Sequence, residues 1–239
     1  MTIERRIRIL QDENASDPRT EDGWAGRLLC WHSRYDLGDD HDYDSDDCLR
    51  QLAFDHEDGL EEYVDWLEGD IGDRLFDRAG DNGCEGWTEK VAYVDRWIRP
   101  RVDGRIEKAL SDGYVILPVH MYDHSGIVLS TGSFSCPWDS GQVGWIVCDK
   151  ETVEKEFGGD RDKAEAALEA EVGVYSQYVS GDVWGFIAEK RDDEEDDGDA
   201  EWEETDSCWG FFGSDVETNG MREHLCDDYA DAPIVFGNH

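Results

Sequence analysis

Residue types that could support nucleophilic chemistry lie close together near the middle of the chain. Cys136 and Asp139 fall in the segment FSCPWDSGQ, and His124 falls in the YDHSG segment that precedes it. A cysteine becomes a nucleophile when a base within hydrogen-bonding reach takes its proton, and a carboxylate often orients that base. The pattern therefore predicts a candidate catalytic group of Cys136, His124 and Asp139, with backbone N–H groups near Ser140 and Gly141 as an oxyanion site.

The same loop also has a structural interpretation, which we favour over catalysis because no complete catalytic template is present. Cys136, Pro137 and Trp138 can pack the loop against a sheet, while Asp139 and Ser140 satisfy its backbone. Polar and aromatic side chains at strand boundaries can orient a bound partner or cap the strand ends. The candidate binding residues are Trp138, Ser140, Gln142 and Asp182.

Segments with clear strand and turn signals surround these residues. The apolar run 114–122 predicts a strand that is buried on both faces. The predicted order continues with a turn at 123–126, a strand at 127–131, a loop at 132–141 and a strand at 142–148. The turn that holds His124 can therefore face the loop that holds Cys136.

The rest of the chain predicts a mixture of strands and helices. The further predicted strands are 3–10, 24–32, 182–189 and 207–212, and the tail can dock through Ile234, Val235 and Phe236. The predicted helices are 48–80, broken at Gly59 and Gly69; 87–110, kinked or divided at Pro100; two that begin after Asp149 and Asp160; and 216–228. Because strands and helices do not alternate regularly, we predict a single α+β domain over 1–239, with helices packed on a mainly antiparallel sheet.

Aromatic residues recur beside glycines in several predicted strands. These pairs are Gly144-Trp145, Trp184-Gly185-Phe186 and Trp209-Gly210-Phe211. A glycine inside a strand leaves a gap that a neighbouring ring can cover. We therefore interpret the aromatic residues as core packing rather than as a platform for a ligand.

Signals for metals and cofactors are weak. The seven cysteines are scattered and form no CxxC pair, so neither a zinc ribbon nor a thioredoxin motif is present. Asp42, Asp44 and Asp46 have the spacing of an EF-hand opening, but Asp47 replaces the required glycine and Ala53 the final glutamate. Three short pairs could share a metal, although packed or hydrogen-bonded side chains are the commoner outcome. The pairs are Cys30 and His32, His120 and His124, and His224 and Cys226. We predict no metal and no cofactor.

The formal net charge is −38, and aspartate outnumbers glutamate. Lysine is scarce beside arginine. Because the acidic residues are spread along the whole chain, we favour a surface adapted to high salt, where charge is heavily screened. Mimicry of nucleic-acid phosphates and loose cation binding are the alternatives. Direct binding to nucleic acid is disfavoured, since the phosphates would be repelled.

Two further features bear on localisation. No apolar run approaches the roughly 20 residues of a membrane span, and the N-terminal segment MTIERRIRIL lacks the apolar core of a signal peptide. We therefore expect a soluble, cytoplasmic protein without membrane contact. The acidic segment 191–206 has few apolar residues and predicts an exposed loop.

Five short phrases carry a resemblance to known proteins. In chain order they are RYDLGDDHDYDS, YDHSG, FSCPWDSGQVGWI, SQYVSGDVWGF and DSCWGFFG. They resemble a family of small proteins encoded by phages, plasmids and other mobile elements, for which no biochemical activity is assigned. The resemblance implies a viral or mobile-element accessory protein with one globular domain. The excess of aspartate departs from that family and implies a salt-adapted, haloarchaeal-type version.

We therefore expect a non-enzymatic protein that binds a host protein, as a modulator of a host system. One alternative is a small cysteine-dependent hydrolase or transferase that uses Cys136 and His124. The other is an acidic DNA mimic that inhibits a DNA-binding partner.

Overall fold

A computed structural model describes residues 3–192 and 201–237. It confirms the predicted α+β class, with helices and mainly antiparallel sheets. The strands are β1 (Ile3–Gln11), β2 (Arg27–Cys30), β3 (Tyr114–Asp123), β4 (Ile127–Ser130), β5 (Ser140–Asp149), β6 (Val183–Asp192), β7 (Glu203–Phe212) and β8 (Ile234–Phe236). The helices are α1 (Cys48–His56), α2 (Leu60–Trp66), α3 (Gly72–Asp81), α4 (Trp87–Gly113), α5 (Lys150–Phe157) and α6 (Arg161–Ser180).

The chain separates into two compact units. Within the described residues, the first unit takes in 3–24, 119–142, 169–192 and 201–237, and the second takes in 25–118 and 143–168. The expectation of a single domain over 1–239 stays a prediction.

A four-stranded sheet organises the first unit, in the order β7-β6-β1-β8. β6 runs antiparallel to both β1 and β7, whereas β8 runs parallel to β1 and pairs Ile234 with Ile7. The C-terminal tail is therefore docked. Side chains alternate along β1, so that Ile7 and Ile9 enter one core. That core is completed by Phe186, Ala188, Phe211, Met221 and Tyr229.

Helices dominate the second unit. Gly59 has a φ of +76° just before α2 and separates α1 from α2, as predicted. The predicted break at Gly69 is wrong, because this residue lies inside a π-helical turn, Leu67–Ile71, that continues directly into α3. Division at Pro100 is also wrong, since α4 runs through it. Ile98 and Val102 are buried on either side of Pro100, and their packing holds the helix where the proline removes a hydrogen bond.

A second sheet has the order β2-β5-β3-β4. The β3–β4 hairpin pairs His120 with Ser130 and Asp123 with Ile127, which matches the predicted turn at 123–126. Ser125 takes a positive φ of 60° in that turn. The hairpin and the start of β5 carry most of the candidate site.

Predictions for the C-terminal part need correction. The predicted helix 216–228 is replaced by two 3₁₀ turns, Met221–His224 and Asp227–Tyr229. Gly220 has a φ of +81°, which an α-helix does not allow. The acidic loop 191–206 is shorter than predicted, because its first residues end β6 and β7 already begins at Glu203. Its interior, 193–200, lies outside the described residues.

The remaining boundaries differ little from the predicted ones, with one exception. β2 is shorter than the predicted strand 24–32. Asp149 caps α5 by accepting a hydrogen bond from the Thr152 N–H at 2.8 Å, as predicted. In the described ranges, no helix combines the length and the apolar character that crossing a bilayer requires.

Candidate functional site

The loop 132–141 is tied to the β3–β4 turn by its backbone. The N–H of Asp123 donates to the carbonyl of Asp139 at 2.9 Å. Within the loop, the hydroxyl of Ser140 donates to the carbonyl of Cys136 at 2.5 Å. Turn and loop therefore face one another, as the sequence predicts.

The carboxylate of Asp139 joins the predicted catalytic residues. Its Oδ2 atom accepts the thiol hydrogen of Cys136 at 3.5 Å and lies 3.4 Å from Nδ1 of His124. The His124 side chain is 65% exposed and that of Asp139 is 37% exposed. The structure thus brings Cys136, His124 and Asp139 together around one carboxylate oxygen.

The order of these contacts differs from the order found in a catalytic cysteine–histidine pair. In such a pair the imidazole contacts the thiol, and the carboxylate lies on the far side of the ring. Here the carboxylate of Asp139 lies between the other two groups. A carboxylate at this position would repel the thiolate that nucleophilic attack requires. As observed, these contacts close the loop, and the Ser140 hydroxyl bonds to the loop backbone as in the structural interpretation.

Two aromatic rings pack beside the β3–β4 turn. Tyr122 lies 5.7 Å from Phe134 and 6.0 Å from His124, measured between ring centroids. Tyr122 and Phe134 were not among the predicted site residues. The signal that could have identified them is their position at the start of the YDHSG and FSCPWDSGQ phrases, immediately beside the polar candidates.

Trp138 lies in the middle of this bonded loop and is 92% exposed. The sequence left two outcomes open for this residue: packing against the sheet and contact with a partner. The prediction that Trp138 packs against the sheet is wrong, because its indole ring projects into solvent. The neighbouring Pro137 is exposed as well, and its ring fixes the backbone φ before the tryptophan.

The other candidate binding residues have different surroundings. Gln142 is exposed near the start of β5. Asp182 is half-buried, and its Oδ1 atom accepts a hydrogen bond from the indole N–H of Trp184 at 2.6 Å. The Asp182 side chain thereby holds an aromatic ring that packs against the core of the first unit. It also lines a cavity of about 580 Å³, together with Gln177 and Asn219.

The paired metal-ligand candidates of the sequence lie in different surroundings. Among the residues that the structure describes, no group of three or more histidine, cysteine, aspartate or glutamate side chains could hold a metal ion. The EF-hand-like segment forms a local turn instead, in which Asp44 accepts a hydrogen bond from the N–H of Asp46 at 2.9 Å. α1 then begins at Cys48.

Comparisons of the chain with protein-family models, with curated proteins and with solved structures find no match. Interpretation of the site therefore depends on its own geometry. That geometry consists of a cross-bonded loop that presents one exposed indole.

Proposed function

We propose that this protein acts by binding another protein through the loop Phe134–Gln142, with Trp138 as the central contact. The exposure of Trp138 carries the proposal. A single exposed apolar side chain is ordinary on a protein surface. Trp138 differs because the loop that presents it is bonded internally and to the neighbouring turn.

Rigid presentation favours binding. Tryptophan is enriched among the residues that dominate the energy of protein interfaces. A loop that is already ordered loses little conformational entropy when it binds. Three contacts restrain the backbone and side chains around Trp138, namely Asp123 to Asp139, Cys136 to Asp139 and Ser140 to Cys136.

Charge indicates the chemistry of the partner. The formal net charge of −38 attracts basic surfaces and repels acidic ones. Asp123 and Asp139 flank Trp138 in the same loop and turn. The proposed partner therefore presents an apolar pocket with a basic rim.

The family resemblance suggests the biological setting. We propose a cytoplasmic accessory protein of a virus or mobile element that modulates a host protein. Exposed acidic side chains occur on many elements, including Glu61 and Glu62 of α2, Asp73 of α3 and Glu165 of α6. This spread supports salt adaptation rather than a phosphate-mimicking face, which would concentrate carboxylates along one side.

The experiment compares tagged wild-type protein with two tryptophan variants in capture from a lysate of the organism that carries the gene. Trp138→Ala removes the proposed contact. Trp87→Ala is the matched control, because Trp87 is 72% exposed at the start of α4. We expect the wild type and the Trp87 variant to retain the same partner, identified by mass spectrometry, and the Trp138 variant to lose it.

A third variant separates binding from cysteine chemistry. Cys136→Ala removes the thiol but leaves Trp138 and the link between Asp123 and Asp139. We expect it to retain the partner and the biological effect. Equal capture by the Trp138 and Trp87 variants would contradict the binding proposal, and loss of the effect in Cys136→Ala with capture intact would favour the enzymatic alternative.

A further inference from the structure

A groove with a mixed polar and apolar lining runs along α4 in the second unit, and α4 contributes five of its apolar side chains. Its first part is a cavity of about 710 Å³ that is floored by Val94, Ile98, Val102 and Ile106. Its second part, a cavity of about 490 Å³, continues to Leu110. Because Leu49, Asp103 and Ile106 line both cavities, we define the two together as the α4 groove.

The floor of the groove follows from the sequence of α4. Its five apolar side chains recur at every fourth position from Val94 to Leu110, which places them on one slowly turning stripe. Ile98 and Val102 are buried in the core. Val94, Ile106 and Leu110 are only half-buried. At 1.5 Å per residue, this stripe is about 24 Å long.

The rim of the groove is acidic. The lining includes six carboxylates and three guanidinium groups. All three guanidinium groups have partners within the protein: Arg50 pairs with Glu68 at 2.7 Å, Arg99 pairs with Asp95 at 3.9 Å, and Arg161 donates to the carbonyl of Tyr114 at 2.5 Å.

Two of the rim carboxylates form no ion pair with any residue that the structure describes. Asp103 and Glu107 lie one turn apart on α4, are exposed, and take part in no ion pair among the described residues. They border Ile106, which both cavities share. Half-buried apolar side chains are therefore flanked by unneutralised negative charge.

We propose that the α4 groove binds a basic amphipathic helix of a partner protein. An amphipathic helix fits an apolar groove by placing residues at i, i+3, i+4 and i+7 into it. The length of the floor accommodates about four turns of such a helix. Lysine and arginine on the flanks of that helix would face Asp103 and Glu107, whereas an acidic helix would be repelled. No residue that lines this groove belongs to the loop that carries Trp138.

The test uses a synthetic probe. A fluorescein-labelled 18-residue peptide carries leucine at helical spacing and lysine elsewhere, and its binding to the full chain is followed by fluorescence anisotropy. A shuffled peptide of equal composition removes the apolar stripe, and a third peptide replaces lysine with glutamate. At about 0.3 M KCl, we expect the basic striped peptide to bind at least tenfold more tightly than either control, a factor of ten being about 1.4 kcal/mol.

Two protein variants locate the binding site. Ile106→Gln changes the floor, and Leu75→Gln is its matched control, because Leu75 is also half-buried against the same core but does not line the groove. We expect Ile106→Gln to weaken peptide binding about tenfold, since the apolar contact is lost. Leu75→Gln should change it less than about twofold. Near-ultraviolet circular dichroism verifies that both variants remain folded.

The rim is tested by charge alone. Asp103→Asn combined with Glu107→Gln should weaken binding about fivefold in low salt, and the difference should vanish near 1 M KCl, where the Debye length is about 3 Å. Asp73→Asn with Asp77→Asn makes the same charge change on exposed positions of α3. Equal binding of the shuffled peptide, equal losses in Ile106→Gln and Leu75→Gln, or equal effects of the two charge pairs would overturn the proposal.

Discussion

Gly185 in β6 lies directly beneath the indole ring of Trp209 in β7. A Cβ atom built on Gly185 would lie 2.3 Å from Cε3 and 2.5 Å from Cδ2 of the ring, and 2.8 Å from the carbonyl oxygen of Cys208. Carbon atoms pack at about 3.5–4.0 Å, so the ring would have to move by roughly 1.2 Å or more. We therefore predict that Gly185→Ala destabilises the protein.

The magnitude follows from two opposing terms. Forcing an extra methyl group into packed structure costs about 1–3 kcal/mol. Alanine is favoured over glycine inside a strand by about 0.5–1 kcal/mol. The ring can move in part, because Trp209 is 43% exposed. We expect Gly185→Ala to lower the free energy of unfolding by about 1–2 kcal/mol.

The measurement is urea unfolding at constant KCl, with the free energy obtained by linear extrapolation. Urea leaves the ionic strength unchanged, which matters for a chain of this charge. A double-mutant cycle with Trp209→Ala assigns the cost to the ring. The two nearest atoms belong to the ring and are removed in the Trp209→Ala background, so Gly185→Ala should cost at least about 0.5 kcal/mol less there.

Gly173 supplies the matched control for this prediction. It is exposed in α6, and a Cβ atom there would meet nothing within 4 Å. Gly173→Ala should raise the free energy of unfolding by up to about 1 kcal/mol, because alanine is the better helix former. If Gly185→Ala and Trp209→Ala are additive within about 0.3–0.5 kcal/mol, the ring does not cause the penalty and the reasoning is refuted.

Other properties should follow from burial and charge. Glu189→Ala should lower the free energy of unfolding by about 2–3 kcal/mol in urea titrations, because it leaves the guanidinium groups of Arg6 and Arg8 without their carboxylate. Glu189→Gln keeps an oxygen that accepts hydrogen bonds, so it should lower the free energy of unfolding by less. Maleimide labelling followed by mass spectrometry should modify the exposed Cys226 and spare the buried Cys48. Burial raises the pKa of the Cys48 thiol to about 11. The free energy of unfolding should therefore fall by up to about 3 kcal/mol as the pH rises from about 9 towards 11, because the unfolded chain loses this proton first. If Cys48→Ala shows the same dependence of stability on pH, this reasoning is wrong. Raising KCl from about 0.1 M to 2 M should increase the free energy of unfolding, because screening reduces repulsion among carboxylates, and equal stability at both concentrations would exclude salt adaptation.

The hairpin and its loop could be predicted because their signals are local. Asp123 to Gly126 specifies a turn, and the apolar runs on either side of it are typical of strands. The contact between Asp139 and the turn followed from placing that turn opposite the loop. The order of the contacts could not be predicted, since rotamers decide whether His124 reaches Cys136 or Asp139.

Local signals were misleading near the C-terminus. Met221 and Leu225 lie four residues apart in the predicted helix 216–228, but Gly220 lies in the left-handed region. The N–H of Met221 also donates to the side chain of Asn219 at 3.0 Å. Such side-chain to backbone bonds compete with a helix and favour turns. The packing of Met221 and Tyr229 into the sheet core then stabilises the turns.

Two glycines illustrate what a sequence pattern leaves open. The phrase Trp184-Gly185-Phe186 predicted that a ring covers a strand glycine, and Gly185 is covered by Trp209 of the neighbouring strand. Gly144 belongs to a similar phrase, yet its Cβ would lie 2.0 Å from the carbonyl oxygen of Leu29. Close approach of a neighbouring strand, rather than an aromatic ring, requires glycine there.

The apolar stripe of α4 is another pattern whose surroundings the sequence does not specify. Periodicity identifies the face of a helix that avoids water, but it does not identify what covers that face. In the described structure the middle of the stripe, Ile98 and Val102, is buried, whereas Ile106 and Leu110 stay half-buried. Both side chains pack partly against the core of the second unit, and the remainder of each faces the groove. Leaving them apolar beside Asp103 and Glu107 is consistent with a partner that contributes both an apolar face and positive charge.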